Sequence, residues 1–327
     1  MKKLDKARKS ILRKSAPVKG AAVSGYDFSK PFDMKRFLES YGSTGFQATH
    51  LGDAIEVAKL MRRDKVTVFL GYTSNMVSSG LREPISYLAK NKLVDVIVTT
   101  AGGIEEDIIK CLKPFILGSF RLDGRELRRK GINRIGNILV PNDRYVAFEG
   151  FMKKFLKGLY DLQMKSGKAI TPSEFARELG RTVDDESSIL YWAYKNNIPV
   201  ICPALTDGSM GDMIFFFKHE HPDFRIEITG DMMLINNLAM DARETGAIIL
   251  GGALPKHHIL NANMMREGLK YAVYIDSGVE DDGSLSGALP EEALSWGKIS
   301  PGGRHARVWG DATIIFPLLV AGAFSDL

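Results

Sequence analysis

Short apolar runs alternate with longer amphipathic segments from position 65 to the end of the chain. The runs are rich in β-branched residues and contain few polar interruptions, which is typical of strands buried on both faces of a parallel sheet. In the segments between them, apolar residues recur three and four positions apart, as they do along one face of a helix. The pattern predicts strands at 65–70, 94–99, 199–203, 247–250 and 271–275.

The intervening segments predict helices at 47–63, 79–91, 104–112, 145–165, 173–179, 187–196 and 259–268, with a last helix after Thr313. Strands and helices that alternate in this way indicate an α/β fold with a mostly parallel, doubly wound, Rossmann-like sheet. No proline-rich or serine-rich linker, internal repeat or low-complexity block interrupts the 327 residues. We therefore expect a single large domain, preceded by an N-terminal helical arm.

Glycine and small polar residues follow each predicted strand, at 71–75, 100–103, 204–208, 251–253 and 276–278. In an open parallel sheet, ligands bind beyond the carboxyl ends of the strands, where loops expose backbone N–H groups and helix N-termini. These loops predict a nucleotide or another anion bound across that edge. The Gly-x-Gly-x-x-Gly fingerprint of many dinucleotide-binding proteins is absent, so bound phosphates would meet 74–78 and 100–102 instead.

The formal net charge of +5 is concentrated at the N-terminus. Residues 1–20 hold eight basic residues and one acid, which leaves 36 basic and 38 acidic residues in the rest of the chain. Because the body is slightly acidic, nucleic acid is not an expected partner. Leu4, Ala7 and Ile11 recur at helical spacing, so the segment is either a short amphipathic helix on a flexible arm or a solvated tail.

Apolar runs stay below the roughly 18 to 20 residues that a membrane span requires, and the N-terminus lacks the apolar core of a signal peptide. These features predict a cytoplasmic protein without a membrane partner. The two cysteines, Cys111 and Cys202, form neither a disulfide framework nor a metal-binding spacing. We predict no metal site, and we interpret His219-Glu220-His221 as a loop rather than as a pair of metal ligands.

Carboxylates cluster after the predicted strands. Glu105 and Glu106 follow the second strand, and Asp207 and Asp212 follow the third. Acids also favour the first turn of any helix, where they complement the helix macrodipole. If several of them converge on one crevice, they would bind a linear polycation, because each desolvated ammonium group needs a carboxylate partner.

Lys298 lies two residues after Trp296, at the end of a Ser-Trp-Gly-Lys run. An indole next to a lysine amine excludes water and disfavours the charged form, and a neutral amine attacks an imine or carbonyl carbon. A surface lysine after a turn is the simpler interpretation. His257 and His258 follow the fourth strand, and one of them could act as a general base because imidazole takes up a proton near neutral pH.

These loops, acids and the Trp-Gly-Lys run belong to a larger set of short motifs. The set occupies positions 25–28, 44–49, 74–75, 99–107, 203–209, 211–212, 256–258, 295–298 and 311–312. In order and residue type the motifs resemble those of the deoxyhypusine synthase family, over about nine tenths of the chain.

The resemblance implies an NAD-dependent transferase with a catalytic, NAD-binding domain at 25–327 and a basic arm at 1–24. Such an enzyme oxidises spermidine, passes the aminobutyl group to its own lysine, and then passes it to one lysine of the translation initiation factor 5A precursor. The family also implies a homotetramer with active sites between subunits. The N-terminal helix of one subunit can cap the active-site entrance of another, and a basic arm would suit an acidic entrance.

Residue roles carry over at the matching positions. Lys298 would be the nucleophile that forms the covalent imine, and His257 would take the proton of the reacting amine. The expected NAD contacts are Ser74, Asn75, Met76, Val77, Ser78, Thr100, Ala101, Gly102, Glu106, Asp207, Gly252, Ser277, Gly278, Asp311 and Ala312. The expected spermidine contacts are Glu105, Glu106, Asp212, His257, Gly283, Ser284, Glu292, Trp296 and Lys298.

Two positions depart from the family pattern. Many members have aspartate where this chain has Leu285, and Thr-Ala where it has Ser277-Gly278. The aspartate would pair with a substrate ammonium group, a bond of roughly 1.5 to 3 kcal/mol, so the polyamine preference stays open unless Asp281 or Asp282 replaces it. The alternatives are a homospermidine synthase, which uses putrescine as the acceptor, and a non-catalytic protein that binds NAD or a polyamine.

Overall fold

The computed structural model describes residues 2–325, in which helices and strands alternate. The helices are α1 (Lys2–Ile11), α2 (Met34–Thr44), α3 (Phe46–Asp64), α4 (Ser74–Ser78), α5 (Arg82–Lys90), α6 (Ala101–Leu112), α7 (Gly124–Arg129), α8 (Asn142–Ser166), α9 (Pro172–Thr182), α10 (Ile189–Asn196), α11 (Ser209–Glu220), α12 (Thr229–Asp241), α13 (Ala253–Met264), α14 (Pro290–Ser295) and α15 (Ala312–Ala323). The strands are β1 (Thr67–Tyr72), β2 (Val96–Thr99), β3 (Ile116–Leu117), β4 (Ile132–Ile135), β5 (Ile138–Pro141), β6 (Val200–Ile201), β7 (Thr245–Leu250), β8 (Leu269–Asp276) and β9 (Ile299–Trp309).

Six strands form one parallel sheet in the order β6-β2-β1-β7-β8-β9. Numbered within the sheet, this order is 3-2-1-4-5-6, the order of the dinucleotide-binding Rossmann fold. The topological switch therefore lies between β1 and β7, and a crevice is expected beyond the carboxyl ends of these strands. The predicted α/β class with a mostly parallel, doubly wound sheet is confirmed.

The strands are buried on both faces because helices cover the sheet on each side. In β1, Val68 and Leu70 pack into one apolar cluster, whereas Phe69 between them packs into the other. In β8, Val273 and Tyr274 divide between the two clusters in the same way. This double burial explains why the strands appear in the sequence as continuous apolar runs rather than as an alternating pattern.

The five predicted strands are present, but several elements were not anticipated. Strand β9 is the sixth strand of the main sheet, and β3, β5 and β4 form a small antiparallel sheet. Helices α2, α4, α7, α11, α12 and α14 are also additional. The strand predicted at 247–250 begins earlier, at Thr245, and the one predicted at 271–275 begins at Leu269.

The helix predicted at 259–268 begins six residues earlier, at Ala253. Gly251 and Ala253 have φ angles of +80° and +52°, so the chain turns sharply from β7 into the helix, and Pro255 is tolerated in the first turn. His257 and His258 therefore lie on α13, one turn into the helix.

The segment interpreted as a loop around His219 is helical. His219 and Glu220 end α11, and His221 caps it. Within residues 2–325 no group of three or more His, Cys, Asp or Glu side chains is arranged to hold a metal ion. In the same part of the chain, no helix combines the length and the apolarity needed to cross a bilayer.

The basic N-terminal segment contains α1, which is exposed along its whole length. A helix is thus one of the two forms expected for this segment, and the domain boundary at residue 24 stays a prediction.

Candidate active site

The loops after β1 and β2 meet at the carboxyl edge of the sheet. The backbone N–H of Ser74 donates to Oγ1 of Thr100 over 3.1 Å, which ties the start of α4 to the start of α6. A Cβ atom at Gly102 would lie 2.5 Å from Cβ of Ser74, so the approach of the two loops requires glycine. The close approach leaves a cradle of backbone groups beside the topological switch.

Glu105 and Glu106 lie on α6 and are 7% and 8% exposed. Oε2 of Glu105 accepts the backbone N–H of Met210 at the start of α11 over 2.7 Å, and Glu106 accepts the hydroxyl of Ser78 in α4. Burial raises the pKa of both carboxyls, and that of Glu106 reaches about 7 although the Ser78 bond lowers it. The acidic pair is therefore held between three helices.

Asp207 and Asp212 approach the same pair from the loop before α11 and from its first turn. Both are exposed, and their charges contribute to the raised pKa of Glu105. A Cβ atom at Gly208 would lie 2.8 Å from a carboxylate oxygen of Glu105, so this loop passes directly over the acid. These four acids converge on one region, as the polycation hypothesis requires.

Tyr145, on the first turns of α8, is a member of this cluster that the sequence did not suggest. Burial raises the pKa of its phenol, and the charges of Glu105 and Glu106 raise it further, while a contact with Ser209 lowers it. A protonated phenol next to two buried carboxyls is a hydrogen-bond donor for an anion or an acceptor for an ammonium group. No sequence motif marks Tyr145, because its neighbours are about 40 or more residues away.

Glu106→Gln should change how the stability of the unliganded protein depends on pH. The pKa of Glu106 is higher in the folded chain than its usual 4.5, so the folded state binds more protons and stability falls as pH rises from about 4.5 to 7. We expect the variant to gain about 2 to 3 kcal/mol relative to the wild type between pH 4.5 and 8. Urea unfolding at a series of pH values measures this difference, and a constant difference would contradict the assignment.

The loop between β8 and α14 returns to its own starting point at the same edge of the sheet. A Cβ atom at Gly278 would lie 2.8 Å from Cα of Gly287, and one at Gly252 would lie 2.3 Å from Cα of Ser286. The base of the loop therefore has no room for side chains at these glycines. The other predicted contacts at this edge are Ser277, Gly283 and Ser284 on the loop, and Asp311 and Ala312 at the start of α15.

Lys298, Trp296 and His257 form a second group. Lys298 is 8% exposed, and its Nζ lies 5.3 Å from the centre of the Trp296 ring. Burial lowers the pKa of His257, and the positive charge of Lys298 lowers it further, so the imidazole is neutral at neutral pH. Trp296 itself is 64% exposed, and therefore the predicted indole wall is open to solvent on one side in a single chain.

Within the second group, only the backbone of Lys298 is held at the opposite end of the sheet from the glycine loops, because His257 lies one turn into α13, which begins just after β7. The backbone carbonyl of Lys298 accepts the N–H of Leu269, the first residue of β8, whereas Ser277 and Gly278 follow the last residue of that strand. Eight residues of strand span about 25 Å, and the amine of Lys298 lies close enough to His257 for its charge to lower the pKa of that imidazole. Within residues 2–325 no hydrogen bond or ion pair joins Lys298 to the acidic pair.

Comparison with known proteins gives one consistent result. The family model named deoxyhypusine synthase matches residues 36–323. A Methanocaldococcus jannaschii protein named probable deoxyhypusine synthase is 53% identical, over 95% of this chain and 98% of its own. The deoxyhypusine synthase of Nicotiana tabacum is 48% identical, over 98% and 95% of the two chains. The crystal structure of a deoxyhypusine synthase homologue from Entamoeba histolytica superposes with a TM-score of 0.69 at 31% identity, over 92% and 96% of the chains.

Proposed function

Because the chain belongs to the deoxyhypusine synthase family and is thus a transferase, we propose that it transfers the aminobutyl group of spermidine to a lysine of the translation initiation factor 5A precursor. The acceptor lysine would attack the imine on Lys298 and displace the enzyme's amine. The observation that carries this proposal is the state of Lys298. The residue is only 8% exposed, and within residues 2–325 its Nζ makes no hydrogen bond or ion pair, so the amine is free to act as a nucleophile.

NAD is the cofactor that we propose, and when bound it accepts a hydride from a carbon next to a polyamine nitrogen and later returns it. The strand order of the sheet and the cradle between Ser74 and Gly102 fit a dinucleotide at the switch point. The residues that would hold it are the fifteen predicted contacts, of which Glu106 is the most deeply placed acid.

His257 and the acidic cluster would prepare the polyamine. An amine supplies its lone pair only after losing its proton, and the lowered pKa of His257 leaves its imidazole free to accept that proton. Glu105, Glu106 and Asp212 would hold the terminal ammonium groups, whose charges favour the ionised carboxylates. The amine of Lys298 would then attack the oxidised carbon, and the departing diaminopropane would take the proton that balances the exchange.

We also propose that the active site is completed between subunits of a homotetramer. The exposed face of Trp296, the exposure of His257 and the anchoring of Lys298 at the far end of β8 support a second subunit as the missing wall. The exposed basic helix α1 has a charge complementary to the acids of the loop and helix at 280–292, which supports its role as a cap on a neighbouring entrance.

Labelled spermidine separates the proposed activity from its alternatives. We expect the wild-type protein with NAD to transfer label from the aminobutyl portion to the factor 5A precursor, and to release unlabelled diaminopropane. Label recovered only in a small polyamine when putrescine is supplied would identify a homospermidine synthase instead. Absence of any transfer, together with retained NAD or spermidine binding, would identify a non-catalytic binding protein.

A further inference from the structure

Lys256 is a buried lysine that the proposed chemistry does not use. It lies in the first turn of α13 next to His257, and it is 1% exposed. Its Nζ donates to the backbone carbonyl of Ala288 over 2.8 Å and lies 4.4 Å from the centre of the Tyr274 ring. Within residues 2–325 it forms no ion pair with a carboxylate. The contact with Ala288 thus links α13 to the segment just before α14.

The Ala288 carbonyl lies at one foot of the loop between β8 and α14. The other foot is held by Arg307, which donates to Asp276 and to the carbonyl of Gly278, each over 2.7 Å. Gly278 and Gly287 touch where the two feet meet. Each foot is therefore fixed by one buried or half-buried cation that binds a backbone carbonyl.

The position of Ala288 also determines the position of α14. This helix begins at Pro290, carries Glu292, and its Ala293 carbonyl accepts the backbone N–H of Lys298. A shift of the foot would move Glu292 relative to Lys298, because the backbone carbonyl of Lys298 is bound separately by the N–H of Leu269. The clamp on Ala288 thus fixes the start of α14, whereas the bond to Leu269 fixes the chain after it.

The buried ammonium group of Lys256 is unfavourable by itself, because burying it costs desolvation energy that no paired carboxylate offsets. Burial lowers the pKa of Lys256 to about 8, with Arg307 acting in the same direction and Asp276 and Glu292 opposing it. Methionine would fill the same space against the Tyr274 ring without that cost. What methionine lacks is a donor for the Ala288 carbonyl.

We propose that Lys256 is a positioning residue, which clamps the foot of the 278–287 loop and sets α14 so that the polyamine contacts face Lys298. This inference rests on the proposed function for its catalytic meaning, but the clamp itself is a structural property. It is therefore tested first without substrate.

Hydrogen–deuterium exchange of the unliganded, full-length protein tests the clamp. In Lys256→Met we expect the amides of 284–298 to exchange about tenfold faster than in the wild type, because a charged hydrogen bond that closes the segment is lost. Lys256→Gln keeps an uncharged donor, so its amides at 284–298 should exchange at a rate between those of the wild type and Lys256→Met. Lys218→Met is the matched control, since Lys218 also donates to two backbone carbonyls, of Pro222 and Phe224, outside the site, and it should leave 284–298 unchanged.

Steady-state kinetics test the consequence. In Lys256→Met we expect KM for spermidine to rise about tenfold while kcat stays within about threefold, since loosened contacts weaken binding more than chemistry. The proposal would be overturned if both Lys256 variants exchanged the amides of 284–298 at the wild-type rate, or if the KM of Lys256→Met for spermidine were unchanged. If Lys256→Met does not fold, Lys256→Gln decides in the same way. A wild-type protein that does not act on spermidine would refute the proposed function alone, because the exchange result stands without it.

Discussion

Lys298→Ala should abolish aminobutyl transfer while leaving NAD binding intact. The substitution removes the amine that would form the covalent imine, and catalysis through a covalent intermediate has no substitute for its nucleophile. We expect activity to fall at least about 10³-fold. NAD binding should persist because the predicted dinucleotide contacts follow the carboxyl ends of the strands, whereas Lys298 precedes β9.

Borohydride reduction followed by peptide mass spectrometry measures the intermediate directly. In the wild type with NAD and spermidine, an aminobutyl adduct should appear on the peptide that contains Lys298, and the alanine variant should show none. Lys298→Arg keeps the charge but cannot form the imine, so it should be equally inactive. Lys270→Ala is the matched control, because this lysine on β8 contacts Asp64 at the surface. Substantial transfer by Lys298→Ala would show that the nucleophile lies elsewhere.

Asp107→Ala should cause the largest loss of stability among the carboxylates of α6. The Asp107 side chain is fully buried and accepts four hydrogen bonds: from Arg82 over 2.6 Å, from the Ser188 hydroxyl over 2.7 Å, and from the backbone N–H groups of Ile189 and Leu190. It therefore joins α5, α6 and the start of α10. Its removal leaves a buried guanidinium and two buried N–H groups without their acceptor, which costs about 3 to 5 kcal/mol.

Urea unfolding at one fixed protein concentration measures this loss, since the proposed association with other subunits would also contribute to stability. Asp107→Asn retains the shape and one acceptor oxygen, so we expect an intermediate loss. Asp143→Ala is the control, because Asp143 pairs with Lys113 and Arg144 at the surface, and exposed pairs contribute at most about 1 kcal/mol. Equal losses for Asp107→Ala and Asp143→Ala would contradict the role of Asp107 as a buried junction.

The central sheet could be predicted because its strands are buried on both faces. Strand β9 was missed since Pro301, Gly302 and Gly303 interrupt it, and its register against β8 shifts at that point. As an edge strand it also carries polar residues such as Arg304 and Arg307. The hairpin of β4 and β5 had a recognisable signal, a two-residue Gly136-Asn137 turn in which Gly136 has a φ of +58°.

Helices α11 and α12 were missed for a different reason. Apolar side chains lie on all sides of them, and Phe215, Phe216, Met232 and Met233 are exposed, so no single apolar face gives a helical period. Such exposed groups suit a surface that another chain covers, and a pattern derived from one chain's core does not account for them.

The candidate site was predictable only in part. The acidic pair and the glycine loops follow strand ends, and the strand order brings such loops to one edge. Tyr145 and Lys256 were not predicted as site residues, because their roles depend on neighbours far away along the chain. Their contacts exist only after the helices have packed.

The pairing of Lys298 with the beginning of β8 has a consequence for how activity arises. In a single chain the backbone of Lys298 and the predicted dinucleotide loops lie at opposite ends of β8, and the exposed Trp296 ring leaves the nucleophile open to solvent. With the proposed homotetramer, assembly would do more than add stability, because it would close the site around the nucleophile. Dilution below the dissociation constant of the assembly would then silence the enzyme without unfolding it, and newly made monomers would leave cellular polyamines untouched until they assemble.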